Sequence, residues 1–501
     1  MTHRARLLGR GDENQFIDAP RLRFRRALLL WLMTLVVPGS AQLKVGRRWV
    51  GAIGVTVWLA LVGGVVALWW RARSDRAGVI NFLTAADTIT YLRIGIAVIA
   101  VGWLALFVDA WRLAGPRRLN WPRAVVVAVL NLAIIAGVAG SAAYASRLLQ
   151  VTDESIEQVF PEDAPTSAPL EGRYNILLIG SDSGPERTGI RPDSLTVASI
   201  DTTTGATVLV SLPRNLQNVP FPEDSPMHQV YPNGYNCGTT CLINAVHTAA
   251  AGRTDLYPDS KDPGLDATMD AVTGATGLKI NYYLMVNLKG FRTLINALGG
   301  VEIDVKTRIA MFGHDDSWKN TWIEPGLQTL DGQQALWYAR SRVQSDDYTR
   351  MGRQKCLLAA MADQLDPTTV VTRAVAIAKS GRDLLSGNMP RKELGQFADL
   401  ALKSRGQKIQ SVSLVPPLVD VQNPNYELIR SSIKTIIKRS ERRAEKSATS
   451  APTPDTTPDS GKASPKPSSS ASVDPFSLSQ EERDKLLQRT ANNSRDVAAS
   501  C

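Results

Sequence analysis

Residues able to do chemistry gather in two stretches of this chain. In the first, Asp182 follows an apolar run from Asn175 to Ile179, Arg191 and Asp193 precede a second from Leu195 to Ile200, and Arg214 follows a third from Thr207 to Leu212. Such runs read as buried strands. Loop residues at the ends of neighbouring strands converge on one rim of a sheet, where open sheets hold their ligands. Two carboxylates beside two guanidiniums suit a divalent cation together with an anionic oxygen ligand. The segment Gly180-Ser181-Asp182-Ser183-Gly184 is equally good turn chemistry, and arginines in such places are commonly solvated, so spacing leaves both readings open.

The second stretch is Trp337-Tyr338-Ala339-Arg340-Ser341-Arg342, followed by Asp347-Tyr348-Thr349-Arg350-Met351-Gly352-Arg353-Gln354. Read as extended chain, the first piece projects Arg340 and Arg342 from one face. Read as a helix capped near Asp346 or Asp347, the second puts Arg350 and Gln354 on a shared face, with Asp347 a turn earlier. With Arg353, these donors would form an anion receptor, because guanidinium forks grip phosphate oxygens in pairs. A solvated basic face is the competing reading. The apolar run Leu357 to Met361 anchors the helix in a core and favours a rigid start.

The elements between and beyond these stretches alternate in type. Residues 216–240, rich in Pro, Asn and Gly, read as a long loop. A helical pattern opens at Leu242, and another runs from Asp266 to Thr276. Tyr282 to Val286 reads as a strand, Leu288 to Leu298 as a helix stopped by Gly299-Gly300, and Val301 to Val305 as a strand. A strand at Ile409 to Leu414 and a helix at Tyr426 to Lys438 follow. This is an α/β layered domain. Gly274-Ala275-Thr276-Gly277-Leu278-Lys279 lacks the ending and spacing of a phosphate loop and reads as a helix terminus.

Hydropathy divides the 501 residues sharply. Residues 50–70, 92–111 and 124–144 are each long and apolar enough to cross a bilayer core of roughly 30 Å. Residues 27–43 are too short for a secure span and read as re-entrant. With the N-terminal segment 1–26, Lys44 to Arg48 and Arg112 to Arg123 inside, 14 basic residues lie in the cytoplasm against four outside, an arrangement that carries everything after Tyr144 out of it. Residues 146–170 then form a polar linker, 171–437 the folded domain, and 438–501 a disordered Ser/Thr/Pro-rich tail with a short helix near Glu481 to Arg489.

The net charge of +10 invites a nucleic-acid reading. Much of it lies in the arginines before the first apolar segment, as in a cytoplasmic flank, and no zinc-finger or RNA-binding signature accompanies it. No nucleic-acid partner is expected. Four cysteines and four histidines are too few for a disulfide scaffold or a strong zinc site. One disulfide is expected among Cys237, Cys241 and Cys356, with the pair left open and Cys501 as an intermolecular thiol.

Taken together, the stretches resemble the LytR-CpsA-Psr family of membrane-anchored cell-wall ligases. The shared motifs occur in order: Gly180 to Ser183, Arg191 to Ser194, Ser211 to Arg214, Asn244-Ala245, Leu298 to Val305, Leu330 to Arg342 and Asp347 to Gln354. The resemblance covers Arg173 to Pro367 and extends to about residue 437. It implies a multi-span anchor carrying an extracytoplasmic α/β domain with a central mixed sheet. The activity implied is transfer of a glycopolymer phosphate from a polyprenyl pyrophosphate carrier to a hydroxyl of peptidoglycan, with Mg²⁺ and a pyrophosphatase side activity. On this likeness Asp182 and Asp193 hold the metal. Arg191, Arg214, Arg340 and Arg342 join them in catalysis, and Arg340, Arg342, Arg350, Arg353, Gln354 and Asn244 bind substrate. Asn215 stands where the family commonly has Asp, and Leu242 where a Lys is frequent. Those departures admit a second reading, a non-catalytic receptor for polyprenyl phosphates. A third, a membrane-bound transcriptional regulator, requires the large domain in the cytoplasm.

Overall fold

The computed structural model describes residues 20–113, 121–182, 190–311, 321–343, 345–364, 385–405, 407–449 and 501. Most of the N-terminal basic segment, the turn residues Ser183 and Gly184, and the helix expected near Glu481 lie outside them. The described chain divides into two compact units, with the boundary between Asp153 and Glu154.

In the first unit, α1 (Pro20–Val36), α2 (Ser40–Val45), α3 (Arg48–Ser74), α4 (Arg76–Thr84) and α5 (Ala86–Leu113) follow one another, and α6 (Trp121–Val159) runs from it across the boundary. Three helical stretches, Arg48–Ser74, Ala86–Leu113 and Ala124–Glu154, are long and apolar enough to cross a membrane. The segment expected as re-entrant is two helices joined through Pro38-Gly39. Gly39, at φ 92°, permits close approach to α3, since a Cβ there would meet the Gly51 carbonyl at 2.4 Å. Trp103 Nε1 donates to the Thr34 carbonyl and Gln42 Nε2 to that of Leu106, each at 3.0 Å, fastening this hairpin to α5. The expected linker begins later than its composition suggests, because α6 stays helical to Val159.

The second unit is built on a six-stranded sheet of order β10-β3-β2-β1-β4-β9. Its strands are β1 (Arg173–Ser181), β2 (Pro192–Asp201), β3 (Thr207–Leu212), β4 (Tyr282–Asn287), β9 (Leu385–Gly387) and β10 (Gln410–Ser413). Antiparallel β1–β2 and β2–β3 pairs stand beside parallel β1–β4 and β3–β10 pairs, a mixed sheet. Central strands covered on both faces read as continuous apolar runs, which is why β1 and β3 were legible.

Helices cover both faces. Leu177, Ile179, Val197, Val208 and Val210 pack against α8 (Val246–Ala250), α9 (Pro263–Thr276) and α14 (Tyr426–Thr449), whose Val246, Leu265, Ala271 and Ile433 complete the main core. Across the sheet, Tyr174, Ile176 and Tyr282 meet Leu400 of α13 (Leu394–Ser404). The short helix α7 (Pro226–Val230) lies in the long loop. Gly277, at φ 72°, closes α9, so the glycine motif there is a helix terminus. The last helix runs to Thr449, into the segment expected as tail.

A smaller core lies beside the sheet. It joins α10 (Leu288–Leu298), β5 (Val301–Val305) paired with β8 (Gly326–Leu330), β6 (Ile309–Met311) paired with β7 (Thr321–Ile323), α11 (Gly332–Arg340) and α12 (Asp347–Gln364). Trp337 to Arg340, read as extended from sequence, is therefore the end of a helix. Asp331 and Gln334 form a reciprocal capping box that starts it.

In α9, a Cβ at Gly274 would lie 1.8 Å from the Pro220 carbonyl, and the Gly274 carbonyl itself accepts from Arg430 of α14. Gly→Ala inside an exposed helix stabilises by about 1 kcal/mol. At this position the clash with rigid backbone reverses the sign. Gly274→Ala is expected to destabilise the domain by ~3 kcal/mol, read from the shift in a urea midpoint.

Candidate active site

Strand register decides where the first carboxylates go. Gly180 pairs with Ser194, but Ser181 pairs with Pro192, so Asp193 is the extra residue of a β-bulge. Bulges re-aim the side chain they carry and recur beside active sites. Asp182 follows directly on β1, its N–H donating to the Arg191 carbonyl at 3.4 Å. Both carboxylates thus stand at one end of the β1–β2 pair, and Arg214 stands just past β3, the next strand of the sheet.

The later stretch reaches the same rim. Arg340, the last residue of α11, donates through Nη2 to both Asp182 oxygens at 3.1 and 3.2 Å. Arg214 Nη1 donates to Asp193 Oδ1 at 2.9 Å. Arg350 of α12, 3% exposed, donates to the Asp193 carbonyl at 3.3 Å and to Asp347 Oδ2 at 3.1 Å. Ser194 donates to Gln354 Oε1 at 3.1 Å, and Gln354 Nε2 in turn to the Ala339 carbonyl. Asp346 caps α12 by accepting from the Thr349 N–H at 2.7 Å, so the helix start that presents Arg350 is fixed.

Asp347 is a residue of this cluster that the sequence reading left out of the site. Its Oδ2 holds Arg350, and its Oδ1 lies 3.7 Å from Arg214 and 4.0 Å from Arg342, within ion-pair range but without a hydrogen bond. One carboxylate thereby sits among three guanidiniums. The only local signal was the Asp347/Arg350 spacing of three on a helix. Burial lowers the Arg350 pKa, opposed by Asp347 and reinforced by Arg214 and Arg342.

Other expected residues fall differently. Arg191 is exposed; its carbonyl accepts from the Asp182 N–H, and its side chain has no partner among the described residues. Arg342 is half exposed beside Asp347. Arg353 turns away from the rim: its Nη2 donates to the Ser341 carbonyl and, at 3.2 Å, to Ser345 Oγ, and burial brings its pKa down to about 10. It braces the turn between α11 and α12 where substrate binding was expected. Asn244 is nearly buried, its N–H donating to the Arg214 carbonyl at 3.3 Å and its Oδ1 left without a donor.

For a divalent cation the fit is partial. No group of three Asp, Glu, His or Cys side chains among the described residues is arranged to hold a metal. Mg²⁺ characteristically takes one or two carboxylates and completes its shell with substrate phosphates and water. Asp193 suits that mode, because Arg214 occupies only its Oδ1. The buried acceptors Asn215 Oδ1 and Asn244 Oδ1, flanking the Arg214 turn, also lack donors.

Similarity to known proteins gives the family. The LytR_cpsA_psr family model matches residues 145–441. The chain belongs to the LytR-CpsA-Psr family. Among its relatives are the polyisoprenyl-teichoic acid–peptidoglycan teichoic acid transferase TagV of Bacillus subtilis, 25% identical over 244 residues (48% of this chain and 56% of that protein), and the cell wall biosynthesis protein LcpA of Corynebacterium glutamicum, 25% identical over 232 residues (42% and 43%). The match thus spans about half the length of these curated relatives. The crystal structure of B. subtilis TagV aligns with 54% of this chain and 98% of its own at 22% identity and a TM-score of 0.40.

Two cysteine pairs close in this LytR-CpsA-Psr chain. Cys237 bonds Cys241 within the long loop, and Cys356 bonds Cys501. The expectation of an intermolecular thiol at Cys501 is thereby corrected: its partner is on α12.

Lys355, beside these residues on α12, is 2% exposed and has no ammonium partner among the described residues. Burial brings its pKa down from 10.5 to about 8. Between those values the unfolded chain binds the extra proton, so stability rises with pH from about 8 upward. Lys355→Met is expected to stabilise by roughly 3 kcal/mol below pH 8, at 1.36 kcal/mol per pK unit, and to flatten that rise. Denaturation midpoints of both proteins at pH 7 and pH 9.5 check the sign.

Proposed function

We propose that this chain transfers a glycopolymer phosphate from a polyprenyl pyrophosphate carrier to a hydroxyl of peptidoglycan, outside the cytoplasmic membrane. The observation that carries the reading is the rim itself. Arg214, Arg340, Arg342 and Arg350 stand with Asp182, Asp193 and Asp347, an excess of positive charge at one rim that suits a phosphate bridge. Similarity to TagV and to TagU of Enterococcus faecalis, each a polyisoprenyl-teichoic acid–peptidoglycan teichoic acid transferase, supports it.

In the step envisaged, an acceptor hydroxyl oxygen attacks the sugar-side phosphorus. A new P–O bond forms, the bridging P–O bond breaks, polyprenyl phosphate departs, and the hydroxyl proton passes to solvent. Water in place of the acceptor would give hydrolysis, the pyrophosphatase side activity. Arg340, Arg214 and Arg350 orient the phosphate oxygens and meet the charge that develops on the equatorial and leaving oxygens. Asp193, whose Oδ2 is not taken by Arg214, is the residue that would hold Mg²⁺, with Asp182, engaged by Arg340, beside it; when bound the ion would supply further neutralisation of the bridge.

Purified full-length protein with Mg²⁺, a lipid pyrophosphate sugar and an acceptor is expected to release lipid phosphate. Arg340→Ala and Asp193→Ala should each lower turnover about 10²- to 10³-fold, in the range for removing one charge-stabilising donor. Undiminished turnover would mean the site is misassigned. Tight lipid binding without any turnover would favour the receptor reading, for which Asn215 and Leu242 argue.

The topology is tested separately. Two disulfides suit an oxidising compartment, and basic residues favour an inside N-terminus. A reporter active only outside the cytoplasm, fused after residue 440, is expected to be active; an inactive fusion at normal expression would reopen the transcriptional reading.

A further inference from the structure

The disulfide from Cys356 to Cys501 joins residues 145 positions apart, with their Cα atoms 5.5 Å apart. One of them lies on the helix that carries the phosphate-facing groups. Cys356 follows Gln354 by two residues and Arg350 by six on α12, and it is 8% exposed. Apart from this bond, this part of the helix is held mainly by polar contacts. The buried residues of α12 are Arg350, Met351, Lys355, Cys356 and Leu357, so two of the five are cations whose burial opposes docking. What remains for the first half is Met351 in the core, the Asp346 cap, the Asp347 ion pairs, and the hydrogen bonds made by Arg350, Arg353 and Gln354, nearly all of them between polar groups.

We propose that the Cys356–Cys501 bond is a redox-sensitive clamp, and that the two cysteines are positioning residues for Arg350 and Gln354. The proposal rests on the phosphotransferase reading only for what the helix binds, not for whether the bond holds it. An external dithiol would open the clamp by attack on one sulfur: the Sγ–Sγ bond breaks, two electrons and two protons yield two thiols, and the dithiol becomes a disulfide. With the clamp open, α12 samples positions in which its donors miss the rim.

The test uses the full-length protein in lipid nanodiscs. Non-reducing peptide mapping should recover Cys356 linked to Cys501; recovery of Cys501 as a free thiol overturns the proposal. Cys501→Ser leaves the buried Cys356 in place and is the variant least apt to misfold. It is expected to raise amide exchange across residues 347–364 about tenfold and the KM for the lipid pyrophosphate donor roughly five- to tenfold, with kcat changed less than about twofold. Dithiothreitol should bring the wild type to the same values, leave Cys501→Ser unmoved, and still act on a Cys237→Ser/Cys241→Ser protein. Unchanged exchange and KM in Cys501→Ser, or a dithiothreitol effect that persists in it, overturns the clamp. If no protein turns over the donor, the phosphotransferase reading fails while the exchange data still decide the clamp.

Discussion

Arginines gathered on one rim repel one another, and this cluster is arranged around that problem. Asp347 answers it most directly by standing among Arg214, Arg342 and Arg350. Asp193 holds Arg214 from the other side, and Asp182 takes Arg340. The carboxylates neutralise part of the charge and aim the guanidinium forks. Because Arg350 is buried, its orientation is set by protein dipoles rather than water, so little reorganisation is left for the moment of binding. An excess of cation over anion still remains.

That arrangement requires elements from two cores to arrive at one rim. The sheet supplies Asp182, Asp193 and Arg214 from three adjacent strands, and the bulge turns Asp193 out of the alternation that would otherwise fix its face. The smaller core supplies Arg340 and Arg350 from two helix ends. Ser194 on β2 and Ala339 on α11 are both hydrogen-bonded to Gln354, so one amide ties the sheet to both helices. Gln354 in this light is as much a strut as a ligand-facing group.

The sheet was legible because its central strands are covered on both sides, so hydrophobicity alone outlined β1 and β3. The helix Leu288–Leu298 was legible to the residue because Gly299, at φ 87°, ends it. The piece before Arg340 was misread as extended although Asp331-Gly332-Gln333-Gln334 carries the capping-box pattern. Asp347 looked like a cap residue; its contact with Arg214 is tertiary and leaves no periodic trace. Arg353 and Arg350 share a helix and a charge, and only the position of the Ser341 carbonyl turns one inward. The Cys356–Cys501 pair was hidden for a similar reason, since cysteine counting does not fix connectivity.

The two departures from the family pattern act on different properties of the site. Leu242 and Asn215 flank the strap that fixes Arg214. That strap is held by main chain: the Ile243 N–H donates to the Leu216 carbonyl at 2.9 Å, the Asn244 N–H to the Arg214 carbonyl, and Leu242 bridges Gln217. None of these bonds uses the side chain of residue 242 or 215, so neither departure disturbs where the Arg214 backbone lies. Leu242 for a lysine removes a cation, and Asn215 for an aspartate removes an anion. The two changes nearly cancel in net charge while leaving a neutral acceptor, Asn215 Oδ1, buried beside Arg214 without a donor. An acceptor so placed costs free energy unless water or a ligand donor meets it. The departures therefore change side chains beside the rim and leave the architecture that presents the arginines intact.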